Sequence, residues 1–372
     1  MNDDHINALF EPFELKSLKL KNRLTMSPMT RYFSPDGIPT DEVGAYYTRR
    51  AHGGVGLIIS EGAFTDREIS RNVSTVPSFY GDALEPWKKV VSDVHKAGAA
   101  MAPQLWHVGG ARDFNYADDP LGDVLESPSG LIGPNLAGGQ EMSDDDIAAT
   151  VSSFVRGAVD AKRLGFDAVE FHGAHGYLFD QFFWGETNKR TGPFGGASLP
   201  ERTRFAAEVV RQTRAAVGED FTIIFRMSQW KAGFYDVKLA QTPAELEAWL
   251  RPLVDAGVDI FDCSQRRFWE PEFEGSPLNL AGWAKKLTGR ATITVGSIGL
   301  STDLYKDFET RAISAPTPST IRDVAERLDR GEFDLVAIGR ALLADAEWPL
   351  KVRERRWQEL RGYSVDLMGT LV

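Results

Sequence analysis

Apolar residues along this chain fall into two alternating rhythms. Short runs rich in Val, Ile, Phe and Ala, at 23–29, 55–60, 99–106, 166–172, 221–227, 258–264, 291–296 and 333–339, have the length of strands rather than helices. Between most of them lie stretches with apolar positions three and four apart, clearest at 144–164, 200–217, 243–256 and 319–330, which predict amphipathic helices. Strands that alternate with helices pair in parallel, and eight such units are the number that closes a (β/α)8 barrel. The expected fold is therefore an α/β TIM barrel with residues 1–372 as one domain.

Three stretches depart from this rhythm. Residues 13–22 alternate apolar and polar positions around Lys16-Ser17, as a small N-terminal β-hairpin does. A surface hairpin without catalytic meaning is the expected reading, with a plug for the bottom of the barrel as its alternative. Residues 113–140 and 300–318 read as long irregular excursions that decorate the barrel rather than divide it.

Composition narrows the chemistry. A hydrophobic share of 42% and a charged share of 26% belong to a globular protein with a substantial core. The net charge of -11 argues against a general nucleic-acid surface, which needs clustered Lys and Arg. Cys263 is the single cysteine, which excludes an internal disulfide and a four-cysteine metal or iron–sulfur site within one chain. No long apolar run suggests a membrane span or secretory leader, so a soluble cytoplasmic protein is expected, with a homo-oligomer left open.

Barrel enzymes work at the C-terminal ends of their strands. Here those ends carry Pro28-Met29-Thr30, Glu61-Gly62-Ala63, Gln104, His172 with His175, Arg226, Ser264, Gly296-Ser297 and Gly339-Arg340. No lysine stands among them, which weakens a Schiff-base aldolase. His172 and His175 supply two imidazoles, but a zinc site normally takes a third protein ligand, so no metal is expected. A lyase or hydrolase using these two histidines as acid and base is the alternative from another class.

The ends of the seventh and eighth strands are where many barrels hold a phosphate. Gly296, Ser297 and Gly339 let backbone N–H groups approach an anion, and Arg340 adds a planar charged donor. Two tight βα turns would use the same glycines. No strand–GxGxxG–helix unit is present, because Gly53-Gly54-Val55-Gly56 leads into a strand rather than out of one, so a Rossmann nicotinamide domain is not expected.

A more specific pattern begins at Phe171-His172-Gly173-Ala174-His175-Gly176-Tyr177-Leu178 and continues through Gln181-Phe182-Phe183 and residues 188–196. With Lys21-Asn22-Arg23, Ser27-Pro28-Met29-Thr30, Gln104-Leu105-Trp106-His107 and Ile338-Gly339-Arg340-Ala341, it resembles the old yellow enzyme family of flavin ene-reductases over nearly the whole chain. The resemblance implies non-covalent FMN, NADPH or NADH as reductant, and reduction of the activated C=C bond of α,β-unsaturated carbonyl compounds, with quinones and nitro compounds as further acceptors. It implies that Pro28, Met29, Thr30, Ala63, Gln104 and Arg226 meet the flavin ring, while Gly296, Ser297, Gly339 and Arg340 lie near its phosphate. His172 and His175 would grip the substrate oxygen, and Tyr177, a phenol with an ordinary pKa of ~10, would supply the proton. Tyr32, and less securely Trp106 and Trp269, would line the substrate pocket.

The departures from the family carry meaning too. Thr30 stands where some bacterial relatives have cysteine, so the flavin's redox tuning should differ. The 304–320 stretch is longer than the family's usual connection, which bears on the phosphate contacts. A non-catalytic flavin-binding protein would keep the same pocket residues.

Overall fold

The computed structural model describes residues 3–111, 119 and 124–372. A hairpin of β1 (Phe13–Leu15) and β2 (Leu18–Leu20) precedes the barrel strands β3 (Leu24–Met26), β4 (Leu57–Phe64), β5 (Ala100–Trp106), β6 (Ala168–His175), β7 (Thr222–Lys231), β8 (Ile260–Ser264), β9 (Ala291–Val295) and β10 (Leu335–Ile338). β3 to β10 form a closed barrel in chain order with every neighbouring pair parallel. The seam closes where Val336, Ala337 and Ile338 pair with Leu24, Thr25 and Met26. All eight predicted strands are present, and the TIM-barrel expectation holds.

Alternation within the strands builds two apolar layers. Leu57, Ile59, Ala168, Ile224, Ile260 and Ile293 share one buried cluster inside the barrel, while neighbours such as Ile58, Val169, Ile223 and Phe261 belong to the outer core under the helices. Capping sets the helix ends. The helix Asp144–Leu164 starts at a reciprocal Ser143–Asp146 capping box and stops at Gly165, whose φ of 93° suits glycine. The predicted 200–217 helix is instead two pieces, Leu199–Arg202 and Arg204–Val217. They part at Thr203, whose hydroxyl donates back to the Leu199 carbonyl at 2.8 Å, a bond that bends helices.

Two other expectations are corrected. The 13–22 hairpin is not a surface ornament, because Leu18 and Leu20 are buried in the same cluster as Leu57 and Ile224 and plug the bottom of the barrel. Burying each leucine is worth roughly 1.5–3 kcal/mol, enough to hold a hairpin of this size in place. The 300–318 stretch is not wholly irregular: it contains a helix, Leu304–Thr310, started by Asp303, whose carboxylate accepts the Tyr305 and Lys306 N–H groups at 3.1 and 3.2 Å. Of the other excursion, residues 113–118 and 120–123 lie outside the described residues; from 124 on it forms short ladders such as Glu126–Ser127 with Gln140–Glu141. Among the described residues no helix is long and apolar enough to cross a membrane.

Candidate active site

At the C-terminal mouth of the barrel lies a cavity of about 350 Å³, lined on one side by Ser27, Pro28, Met29, Thr30 and Tyr32 and on another by Gly296, Ser297, Gly339 and Arg340. A smaller pocket of about 130 Å³ adjoins it and shares Pro28, Thr30, His175 and Arg226, adding Gln104, Trp106, His172 and Tyr177. The ends of seven of the eight strands thus bring residues far apart in sequence to one opening.

The end of β6 is shaped by backbone constraints. A register shift between Gly173 and His175 breaks the ladder, and His175 and Gly176 then turn with φ of 66° and 85°. A side chain at position 173 would sit 2.3 Å from the Phe225 ring, so only glycine lets β6 and β7 approach this closely. The turn is pinned from below. Asp180 accepts the Gly176 N–H at 2.7 Å and pairs with Lys231 at 2.6 Å, both side chains fully enclosed. Four rings meet there: His172 lies 5.2 Å from His175 and 5.0 Å from Tyr177, and Trp106 meets Tyr177 edge to face at 4.8 Å.

Electrostatics keep both imidazoles neutral. Burial, reinforced by the Arg226 charge, holds His172 well below the usual histidine range; burial, with His172, Arg226 and Lys231 nearby, does the same to His175. A neutral imidazole offers one N–H donor. His175 has its Nε2 2.7 Å from the Ser264 hydroxyl and its ring stacked 4.4 Å from Trp230, whose Nε1 donates to the Ser264 carbonyl. Nδ1 of His172 is buried and has no hydrogen-bond partner in the protein.

Arg226 enters from β7 and pairs with Asp262 at 2.6 Å, with Ser27 Oγ at 3.3 Å from both of its terminal nitrogens. Beneath it Glu170 accepts from the Gln104 amide at 2.8 Å. Burial, and then the neighbouring Asp262 charge, push the Glu170 carboxyl well above the carboxylate range; burial also raises Asp262. The Arg226 Nε is buried without a partner.

At the far side, Gly296 and Ser297 turn with φ of 147° and 53°, and Arg340 donates to Ser297 Oγ at 3.0 Å and the Thr302 carbonyl at 2.9 Å while pairing with Asp307. Most of the expected residues therefore converge. Ala63 lies buried in β4 opposite Leu105, and Trp269 packs on the outer core against Phe268; neither side chain lines these two cavities. Sequence reading missed Trp230, because β7 runs three residues past the end assigned to it before reaching that ring. It also passed over Glu170 and Asp262, although a carboxylate flanked by Val169 and Phe171, or by Phe261 and Cys263, is a signal of an inward-facing acid. Among the described residues no group of three or more His, Cys, Asp or Glu is placed to hold a metal ion.

The orphaned Nε of Arg226 and the glycine-lined rim beside Arg340 fit a flat acceptor-rich ring bearing an anionic tail, which is the outline of FMN. Comparison with known proteins leads to the same group. Residues 8–359 match the model of the NADH:flavin oxidoreductase / NADH oxidase family. An NADH oxidase of Thermoanaerobacter brockii is 33% identical over 369 residues, covering 96% of this chain and 52% of that protein, so the chain spans about half the length of that relative. An NADPH dehydrogenase of Bacillus subtilis is 29% identical over 340 residues, 91% of each chain. The solved structure of morphinone reductase in complex with tetrahydroNAD superposes with a TM-score of 0.79 at 26% identity, covering 97% of this chain and 94% of that one. The chain belongs to the NADH:flavin oxidoreductase / NADH oxidase family, the FMN-dependent family of the old yellow enzymes.

Proposed function

We propose that this protein is an ene-reductase that takes reducing equivalents from NADPH or NADH and saturates the activated C=C bond of α,β-unsaturated carbonyl compounds. The observation that carries the reading is the placement of His172, His175 and Tyr177 on one pocket that opens into the cavity bounded by Arg226 and Arg340. Pro28, Met29, Thr30, Gln104 and Arg226 would hold the flavin ring, Ala63 would contribute backbone, and Gly296, Ser297, Gly339 and Arg340 would hold its phosphate. Held there, FMN would supply hydride-transfer chemistry between the nicotinamide and the activated alkene.

The chain's own residues do the rest. His172, with its unpartnered Nδ1, donates to the substrate oxygen, and His175, its ring fixed by Ser264 and Trp230, is the second donor. Charge grows on that oxygen as hydride reaches the β-carbon, so donors fixed in advance favour the transition state over the ground state. Arg226 would offer a buried guanidinium to the negative charge that the flavin gains on reduction. Tyr177 gives its hydroxyl proton to the α-carbon, completing addition of one hydride and one proton across the double bond. Tyr32 and Trp106 wall the substrate space.

The test is spectroscopic. Purified protein is expected to be yellow, to bleach in the flavin band on anaerobic addition of NADPH, and to recover its colour with cyclohexenone. Colourless protein that takes up no FMN would end this reading.

A further inference from the structure

The segment that connects β9 to the helix Pro318–Asp329 lies on the anion side of the cavity and carries its acids onto that side's arginines. Asp307, almost fully buried, pairs with Arg340, and its other carboxylate oxygen contacts the Thr302 hydroxyl, which in turn reaches Ser314 Oγ at 2.6 Å. Asp303 pairs with Arg266 at 3.2 Å and with Arg267 at 2.5 Å. Tyr305 packs on Tyr235 and lies under the Arg266 guanidinium, at the cavity edge. Two carboxylates of one short segment thus engage three guanidinium groups.

We propose that Asp307 is an internal competitor for the cofactor's phosphate, holding Arg340 from within the chain, so that segment 300–316 loosens as FMN binds. The inference rests on the phosphate assignment made under the proposed function. Arg340 directs one terminal nitrogen to Asp307 and the other to Ser297 Oγ and the Thr302 carbonyl, so both are committed to the chain. The Ser297 hydroxyl itself donates to the Arg266 carbonyl at 2.8 Å. A phosphate dianion brought to Arg340 would meet the Asp307 carboxylate on the same largely buried guanidinium, and two like charges sharing it repel strongly. The chain relieves the conflict by giving up the Asp307 contact. The Thr302 contact to this carboxylate then loosens with it, and so does the Thr302–Ser314 contact behind it.

The experiment measures FMN and riboflavin binding to the full chain freed of flavin, in wild type and Asp307→Asn, by quenching of flavin fluorescence. Removing the competing charge while keeping an acceptor for Arg340 should tighten FMN binding ~10-fold and leave riboflavin, which has no phosphate, unchanged. On wild type alone, trypsin should cut after Lys306 or Arg311, both exposed, faster with FMN than without. The proposal is overturned if FMN binds Asp307→Asn no more tightly than wild type, if riboflavin shifts equally, or if FMN protects the segment. Wild type that binds riboflavin but gains nothing from the phosphate would sink the phosphate assignment as well, and wild type that binds neither would sink the flavin reading with it.

Discussion

The His172 and Tyr177 rings lie 5.0 Å apart, centroid to centroid, in the wall of one pocket, and Trp106 braces the phenol from the side at 4.8 Å. In the proposed reaction a substrate oxygen on the imidazole would leave the neighbouring α-carbon toward the phenol. Tyr177→Phe keeps the ring packing and removes only the proton. Flavin reduction by NADPH should stay near wild type, while reoxidation by cyclohexenone should slow by ~10² to 10⁴, the usual worth of general-acid help. Stopped-flow measurement of the two half-reactions separates them, and an unchanged oxidative rate would remove Tyr177 from the role.

His172 should matter for binding as well as rate. Its buried Nδ1 has no other partner, so a phenol or enone oxygen that reaches it gains a hydrogen bond without displacing one. His172→Ala should weaken para-substituted phenol binding ~10- to 100-fold, read from the long-wavelength charge-transfer band. Because burial and the Arg226 charge hold the imidazole neutral well below its ordinary range, the wild-type enone affinity should show no inflection near pH 6.5. An inflection there that vanishes in His172→Ala would contradict the neutral-donor account.

Much of this was legible in the chain before any coordinates. Strands such as β5 and β6 announce themselves because apolar runs of that length have few other readings, and the Phe171–Leu178 run carries the resemblance to the flavin ene-reductases. Other features depend on packing that periodicity does not encode. Alternation in 13–22 specifies a hairpin, yet nothing local says that Leu18 and Leu20 enter the barrel. The Leu304–Thr310 helix is too short for a periodic signal and depends on the Asp303 cap. Trp230 reaches His175 only because β7 overruns the barrel.

The Asp180–Lys231 pair tests how the turn at His175 and Gly176 is held. Both groups are fully enclosed, and Asp180 also accepts the Gly176 N–H, so losing the lysine strands a carboxylate against the turn. Lys231→Met should cost about 3–5 kcal/mol in urea unfolding, the range for breaking a buried pair from one side. Pairing it with Asp180→Asn should restore a large part, since no charge is then left alone. Two single-site costs that simply add would show that the residues do not act as a pair.

Glu61 makes the pH dependence of stability specific. It is fully buried within β4, accepts the Arg31 N–H at 2.8 Å, and burial raises its carboxyl from 4.5 to about 7 despite the opposing Arg31 hydrogen bond and charge. The folded state thus keeps this proton at pH values where the unfolded state has released it. A raised folded pKa contributes stability that is whole below about 4.5 and is lost as pH rises through about 7. The shift corresponds to ~3 kcal/mol across that window. Glu61→Gln cannot ionise and can still accept from Arg31, so its stability relative to wild type should rise by ~2–3 kcal/mol between pH 5 and pH 8. Urea unfolding at both pH values reads the difference directly. Parallel pH profiles for the two proteins would mean that Glu61 carries the same charge folded and unfolded, and that Arg31 rather than burial governs the carboxyl.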